Sequence, residues 1–412
     1  MATEHLPFPS GGSLLVLNAG SSSMKFSLYR ATADAQGEPS SLGHGSLQLR
    51  PGQLQLSYAE PTGERHQEHW PLPTSGEPGD TLEHLLRWIE GHTGSPLAAA
   101  GHRIVHGGLR QEVAAWVDPA LLDELQALTP IAPQHQPLCL APVRFLASRH
   151  PGLPQVACFD TAFHHTLDPL ETLYALPRSL SEQGVRRYGF HGLSYEYIAG
   201  ALASHDAEAA AGRTIVAHLG NGASLCALHN GRSRATSMGF TTLDGLMMGS
   251  RPGHLDPGIL LYLMRERSMS AQALEHLLYH ECGLLGVSGG LSGDMRELLA
   301  SEHADARQAV ALYVHNVVRE IGAFAAVLGG LDALVLTGGI GEHAAPVREG
   351  ILRGCAWLGV RIDEQANQAS HARLSAEHSP VRAWMIPTDE DRVIARHTLK
   401  LLRARTPDDH PQ

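Results

Sequence analysis

The segment Leu14-Leu-Val-Leu-Asn18-Ala-Gly-Ser21-Ser-Ser23-Met-Lys25-Phe-Ser-Leu-Tyr29 reads as an apolar strand, a tight turn of small polar residues, and a second strand. Small side chains let backbone N–H groups approach a phosphate, hydroxyls donate to its oxygens, and a lysine ammonium offsets its charge. The GxxxxGK(S/T) spacing of a P-loop is absent, and a strand rather than a helix follows. Taken alone, the turn is equally an ordinary Ser-rich hairpin. A second stretch, Thr214-Ile-Val-Ala-His218-Leu219-Gly220-Asn221-Gly222-Ala-Ser224-Leu-Cys-Ala-Leu228, repeats the plan. A third Gly-rich turn, Gly338-Gly339-Ile340-Gly341-Glu342, follows the apolar run from Leu334. Two similar hairpins half a chain apart point to an internal duplication that brings one turn from each half to a shared cleft; chance similarity of two short turns is the alternative.

At 412 residues the chain exceeds one ordinary core, so two domains are expected. A net charge of −11 without a dense Lys/Arg stripe argues against nucleic acid as a partner, while leaving room for a local basic cleft that takes an anion. The five cysteines are odd in number, scattered and without CxxC pairs, which points to free thiols in a reducing compartment. No apolar run reads as a membrane span, and Met1 to Gly12 reads as a polar tail rather than a signal peptide. The 26 histidines invite a metal reading, but there is no HExxH, and most are expected to be surface or core residues.

Strands are expected at 14–18, 25–29, 155–159, 214–218, 224–228 and 333–337. Helices are expected where Leu82, Leu85, Leu86 and Ile89 share a face, over Ala304 to Leu328, and over Arg392 to Arg405. The pieces at 72–79 and 128–137 read as loops. Strands alternating with helices predict an α/β architecture. The break between halves is placed just after Asp160-Thr161, giving a first domain of residues 1–161 plus 391–412, closed by the C-terminal helix, and a second of residues 162–390.

Further motifs are Gly101-His-Arg103-Ile-Val105-His106-Gly-Gly108, Phe159-Asp160-Thr-Ala-Phe-His164, Tyr188-Gly-Phe190-His191-Gly, Gly245-Leu-Met-Met-Gly-Ser-Arg251, Ser292-Gly-Asp294-Met295-Arg296 and Pro387-Thr-Asp-Glu390. In this order and spacing, from Leu14 to about Leu402, the chain resembles the acetate kinase family. The resemblance implies two RNase H-like domains of the actin-like ATPase superfamily facing an interdomain cleft, a cytoplasmic homodimer formed through the second domain, and Mg2+-ATP-dependent phosphorylation of a short carboxylate, with Mn2+ as a possible substitute metal. A binding protein that responds to ATP/ADP without phosphorylating anything is the rival reading.

A carboxylate is already ionised near neutral pH, so it needs no general base. The obstacle is bringing one anion against another, which predicts arginines, a hydrogen-bond donor and a metal at the transferring group. By family match, Arg103 and Arg251 are the active-site arginines, His191 stabilises the phosphoryl group, and His135 is a second nearby histidine. Asp160 and Glu390 serve the metal, directly or through water, with Asn18; Asp160 alternatively orients an arginine. Asn18, Ser21, Ser23 and Lys25 face the transferring phosphate. His218, Leu219, Gly220, Asn221 and Gly222 face the nucleotide phosphates, although His218 reads equally as a strand residue orienting Asn221. Asp294, Met295 and Arg296 approach ribose and adenine, and Gly339, Ile340, Gly341 and His343 the adenosine. Val105 and Phe190 keep an apolar acyl pocket. Gln134, Thr242 and Leu109 depart from the family pattern around that pocket, so either they point elsewhere or the preferred acid is larger or more polar than acetate. His254 and His343 depart from it as well, and leave nucleotide preference open.

Overall fold

A computed structural model of the protein describes residues 12–20, 23–33, 37–72, 78–110 and 112–404. Ser21 lies outside the described residues. The chain forms two compact units: Met1–Ala162 with Asp389–Gln412, and Phe163–Thr388.

In the first unit the quoted hairpin is β1 (Ser13–Ala19) and β2 (Ser23–Ala33). It is followed by β3 (Pro39–Arg50), β4 (Gln53–Ala59), β5 (Arg65–Pro71), β6 (Leu97–Ile104), β7 (Ala114–Trp116) and β8 (Gln155–Phe159). They form one sheet in the order β5-β4-β3-β2-β1-β6-β8-β7. The run Leu14–Leu17 is fully buried because both faces of β1 are covered. Leu15 and Leu17 pack with Phe26, Leu28 and the Leu82, Leu85, Leu86, Ile89 stripe of helix Pro78–Thr93. Each such buried aliphatic side chain contributes about 2 kcal/mol of transfer free energy. Helix Glu390–Ala404 also packs on β1 and β6. It approaches so closely at Gly101 that a Cβ there would stand 2.7 Å from Ile394 Cγ2 and 2.6 Å from Thr398 Oγ1.

The second unit carries β9 (Arg213–Leu219), β10 (Ala223–His229), β11 (Arg232–Thr236), β12 (Ala333–Thr337) and β13 (Arg382–Met385), in the order β11-β10-β9-β12-β13. The duplication is visible in the pairing. β3-β2-β1-β6-β8 and β11-β10-β9-β12-β13 both run as two antiparallel pairs followed by two parallel pairs. Tyr195, Ile198 and Leu202 of helix Gly192–His205 pack with Val216, Cys226, Leu228, Ala333 and Val335. Helix Ala304–Leu328 packs on β9 and β10, and its buried residues include Tyr313, Val317, Ile321 and Phe324. By length and mean hydropathy that helix could cross a membrane. Its interior carries Arg319 and Glu320, and its buried residues recur at helical spacing, as in a helix that covers a sheet.

Some sequence expectations change. Gly338 to Gly341 open a short helix, Gly338–His343, rather than a turn. Gly338 has φ +77°, and a Cβ there would lie 2.8 Å from the Leu219 carbonyl oxygen, so only glycine fits where the ends of β12 and β9 meet. The expected loops at 72–79 and 128–137 end early: helices begin at Pro78 and Gln136, each with proline in its first turn, where its missing N–H costs nothing.

Candidate active site

The first unit places Asn18, Arg103 and Asp160 in a row across the carboxyl ends of three adjacent strands, β1, β6 and β8. Those strands are parallel, the arrangement whose carboxyl ends hold ligands in open α/β sheets. Arg103 donates from Nε to Asp160 Oδ1 (3.3 Å), from Nη2 to Asp160 Oδ2 (2.6 Å), and from Nη1 to Asn18 Oδ1 (3.4 Å). Glu390 Oε2 lies 3.5 Å from Arg103 Nε. Burial works against the guanidinium charge, but Asp160 and Glu390 outweigh it and hold the pKa above its ordinary value.

Three consecutive acids at the start of helix Glu390–Ala404 have three separate tasks. Asp389 Oδ1 accepts from the Arg392 N–H and caps the helix. Asp391 is half-buried, accepts from Ser27 Oγ at 2.5 Å, and has its pKa pushed up to about 6, chiefly by desolvation. Glu390 is the one that meets Arg103. Asn18 stands opposite Lys25 in the β1–β2 ladder; Lys25 is exposed and Ser23 half-buried. Asn18, Asp160 and Glu390 together offer one amide oxygen and two carboxylates around one guanidinium. That is a hard-oxygen set, of the kind Mg2+ uses alongside phosphate oxygens and water. His135, half-buried, precedes helix Gln136–Arg149 without capping it through its side chain.

The second unit gathers His191, His218, Gly222 and Arg251. His191 adopts φ 57°, a left-handed conformation that costs a non-glycine residue of order 1 kcal/mol and directs attention to the site. Its Nδ1 is 2.8 Å from Ser224 Oγ, which in turn is 2.5 Å from the Tyr195 hydroxyl. Its ring stacks on His218 at 4.3 Å, and Ser194 Oγ fixes His218 Nδ1 at 2.8 Å. A Cβ on Gly222 would stand 3.2 Å from Arg251 Nη2 and 3.4 Å from His191 Nε2. Arg251 donates to the Thr242 carbonyl at 2.8 Å, and burial lowers its pKa. Leu219 is buried, and Gly220 N–H closes the turn onto the Gly222 carbonyl at 3.1 Å. Asn221 accepts from the Gly249 N–H through its carbonyl, which ties this turn to the Arg251 loop. Gly339 N lies 3.9 Å from the Cβ position of Gly220, so the two Gly-rich segments adjoin.

Asp294 caps helix Met295–Ala300 and pairs with Arg296 at 2.6 Å; the Arg296 side chain is 86% exposed and Met295 is buried. Ile340 is half-buried, Gly341 buried, and His343 exposed. Val105 and Phe190 are buried. Gln134 and Leu109 are exposed, so the Gln134 amide is not a buried unpaired group, and Thr242 is buried. Sequence reasoning passed over Ser224 and His164. His164 Nδ1 meets Ser233 Oγ, and its Nε2 donates to the Phe190 carbonyl, buttressing the turn that carries His191. Burial lowers the His164 pKa to about 4, so the ring is neutral. Its place in the Phe159–His164 motif was the available signal.

The profile of the acetokinase family matches residues 13–396. The chain belongs to the acetokinase family. Membership makes it a kinase whose acceptor is a carboxylate. It is 53% identical over 401 residues to the acetate kinase of Rhodopseudomonas palustris, covering 94% of this chain and 98% of that protein. Among solved structures it is similar to Porphyromonas gingivalis acetate kinase, with 33% identity, a TM-score of 0.83, and coverage of 95% and 100% of the two chains. It is also similar to a propionate kinase from Francisella tularensis, with 35% identity, a TM-score of 0.85, and coverage of 93% and 98%.

Proposed function

We propose that this acetokinase transfers the γ-phosphoryl group of ATP to acetate, reversibly, giving acetyl phosphate and ADP. A carboxylate oxygen forms its bond to phosphorus as the bond to the ADP oxygen breaks; ADP leaves with that electron pair, and no proton has to move. The observation that supports this most is the two-point Asp160–Arg103 contact, with Glu390 beside it. It holds a guanidinium rigidly at strand ends, as a site for a second anion requires.

In this reading Arg103 takes the carboxylate and then the phosphoryl group, while Arg251 and His191 receive the charge that develops on the phosphoryl oxygens. Val105 and Phe190 serve the methyl group. Asp160, Glu390 and Asn18 would hold Mg2+, which would offset phosphate charge, and the same oxygens would suit Mn2+. The segments Gly220–Gly222, Gly339–Gly341 and Asp294–Arg296, with His343, serve the nucleotide.

Assembly as a homodimer is part of the proposal. Helix Pro257–Glu266 buries none of its residues and exposes Ile259, Leu261, Tyr262 and Met264 around its axis, apolar surface that a second copy would cover. A cytoplasmic location agrees with five unpaired cysteines.

Trapping of acyl phosphate with hydroxylamine, across acetate, propionate, butyrate and hydroxylated acids, tests the function. Acetate is expected to give the highest kcat/KM. A polar acid ranked far above it would move the specificity, and nucleotide binding without any acyl hydroxamate would favour the non-catalytic binding protein.

A further inference from the structure

At the open edge of the first sheet, three strands removed from β1, lies a second grouping of chemistry. Glu60 begins the tight turn between β4 and β5, closed by Glu60 N–H to Glu64 O at 2.8 Å and Gly63 N–H to Glu60 O at 2.9 Å. His66 sits on edge strand β5, opposite Tyr58 of β4. His92 is in the last turn of helix Pro78–Thr93. Three elements distant in sequence thus deliver one carboxylate and two imidazoles to one spot. We infer that Glu60, His66 and His92 form a binding site for Zn2+ that is separate from the kinase chemistry.

The distances suit that ion. His66 Nε2 and His92 Nε2 stand 3.1 and 3.5 Å from the same oxygen, Glu60 Oε1, and all three donor atoms lie within 4.8 Å of one another. Zn2+ bonds of about 2.0–2.1 Å in tetrahedral array separate ligand atoms by about 3.3 Å, so two of the three edges already have that spacing. Glu64 Oε1, 3.9 Å from His66 Nε2, or a water, supplies a fourth ligand. Two nitrogens with carboxylate oxygen favour Zn2+ over Mg2+, which prefers oxygen alone.

The imidazoles are also held in advance. The His92 ring stacks on Trp88 at 4.7 Å and 11° and receives the edge of Tyr58 at 5.0 Å. Trp88 is fixed by its Nε1–H to Glu68 Oε1 at 2.7 Å, and Tyr58 by its hydroxyl to the Leu42 carbonyl at 2.6 Å. Exposures of 25–30% leave the three side chains reachable from solvent. An ion here would tie the turn and edge strand β5 to the end of the helix, at one margin of the sheet.

Equilibrium dialysis of the metal-free, nucleotide-free full chain against Zn2+ tests this. One equivalent per chain is expected to bind with a Kd of about 1–10 µM, and Co2+ in its place should give the visible spectrum of a tetrahedral site. His66→Gln and His92→Gln should each weaken binding at least tenfold, with the rate on Mg2+-ATP and acetate unchanged and melting of the metal-free protein little altered. Absence of a stoichiometric site, or equal Zn2+ affinity in the wild type and both variants, would show that the imidazoles only hydrogen-bond Glu60 and would overturn the inference.

Discussion

Arg103 and Asp160 face each other from adjacent parallel strands, with Nη2–Oδ2 at 2.6 Å and Nε–Oδ1 at 3.3 Å, and the carboxylate fully buried. A carboxylate in that position holds the guanidinium at one angle rather than donating anything to the substrate. Arg103→Lys keeps the charge and loses the fork, and should lower kcat by on the order of 10³. Asp160→Asn should lower kcat about 10²-fold and raise the KM for acetate, as Arg103 loses its fixed direction. Steady-state kinetics with acetate varied at saturating Mg2+-ATP would check both; wild-type KM in Asp160→Asn would be contrary.

Arg251 and His191 both approach the open side of Gly222. A Cβ at 3.2 and 3.4 Å from their nitrogens obliges both side chains to shift by a few tenths of an ångström. Gly222→Ala should therefore fold and melt near the wild-type temperature, yet lose about 10–100-fold in kcat. Calorimetry alongside turnover separates this from a folding defect.

Ser224 links Tyr195 to His191 Nδ1. If Tyr195 donates to Ser224 and Ser224 to Nδ1, the proton of a neutral His191 sits on Nε2, the nitrogen that faces Gly222. Ser224→Ala should reduce kcat about tenfold, the worth of one hydrogen bond of about 1.4 kcal/mol, with the KM for ATP nearly unchanged. Its kcat–pH profile should shift, whereas an alanine that merely loosens packing would leave the profile in place.

His254 sits between Asp244 Oδ1 at 3.0 Å and Glu320 Oε2 at 3.4 Å. Its hydrogen bonds to Asp244 and Glu320 outweigh burial and raise its pKa to about 9. A raised pKa stabilises the fold fully below the unfolded value near 6.5, and that stability is lost as pH rises through 9. Because the side chain is 41% exposed, the contribution is about 1 kcal/mol rather than the full shift. Urea unfolding of wild type and His254→Asn should differ by that amount at pH 6 and converge near pH 10; a constant difference would mean that charge is not the cause.

The hairpins at Leu14–Tyr29 and Thr214–Leu228 were legible because their strands are continuous apolar runs bounded by small turn residues. β5 was not, because Arg65-His-Gln-Glu-His-Trp-Pro71 is an exposed edge strand with a single buried residue, Trp70. β6 was hidden by its small residues, Ala98 to Gly101, which suit the close approach of helix Glu390–Ala404 rather than announcing a strand. Residue type and motif alone singled out Arg103, Asp160 and Glu390 of the first unit and His191 and Arg251 of the second as candidates. Ser224, His164 and the separate duties of Asp389, Glu390 and Asp391 follow from pairing across strands and helix ends, which no local pattern encodes. The Glu60, His66 and His92 grouping escaped for the same reason, since its members are spread over 33 positions.

In the proposed reaction Arg103, Arg251 and His191 stabilise the phosphoryl group in flight rather than the bound nucleotide. The direct measurement is the affinity of ADP, acetate and aluminium fluoride, a planar phosphoryl mimic, for the wild type and for the alanine variant of each residue, beside the Kd for ATP. Each variant is expected to lose on the order of 10²–10³ in affinity for the mimic while ATP binding changes less than tenfold. Mimic affinity that survives all three substitutions, or falls only in step with ATP, would contradict it.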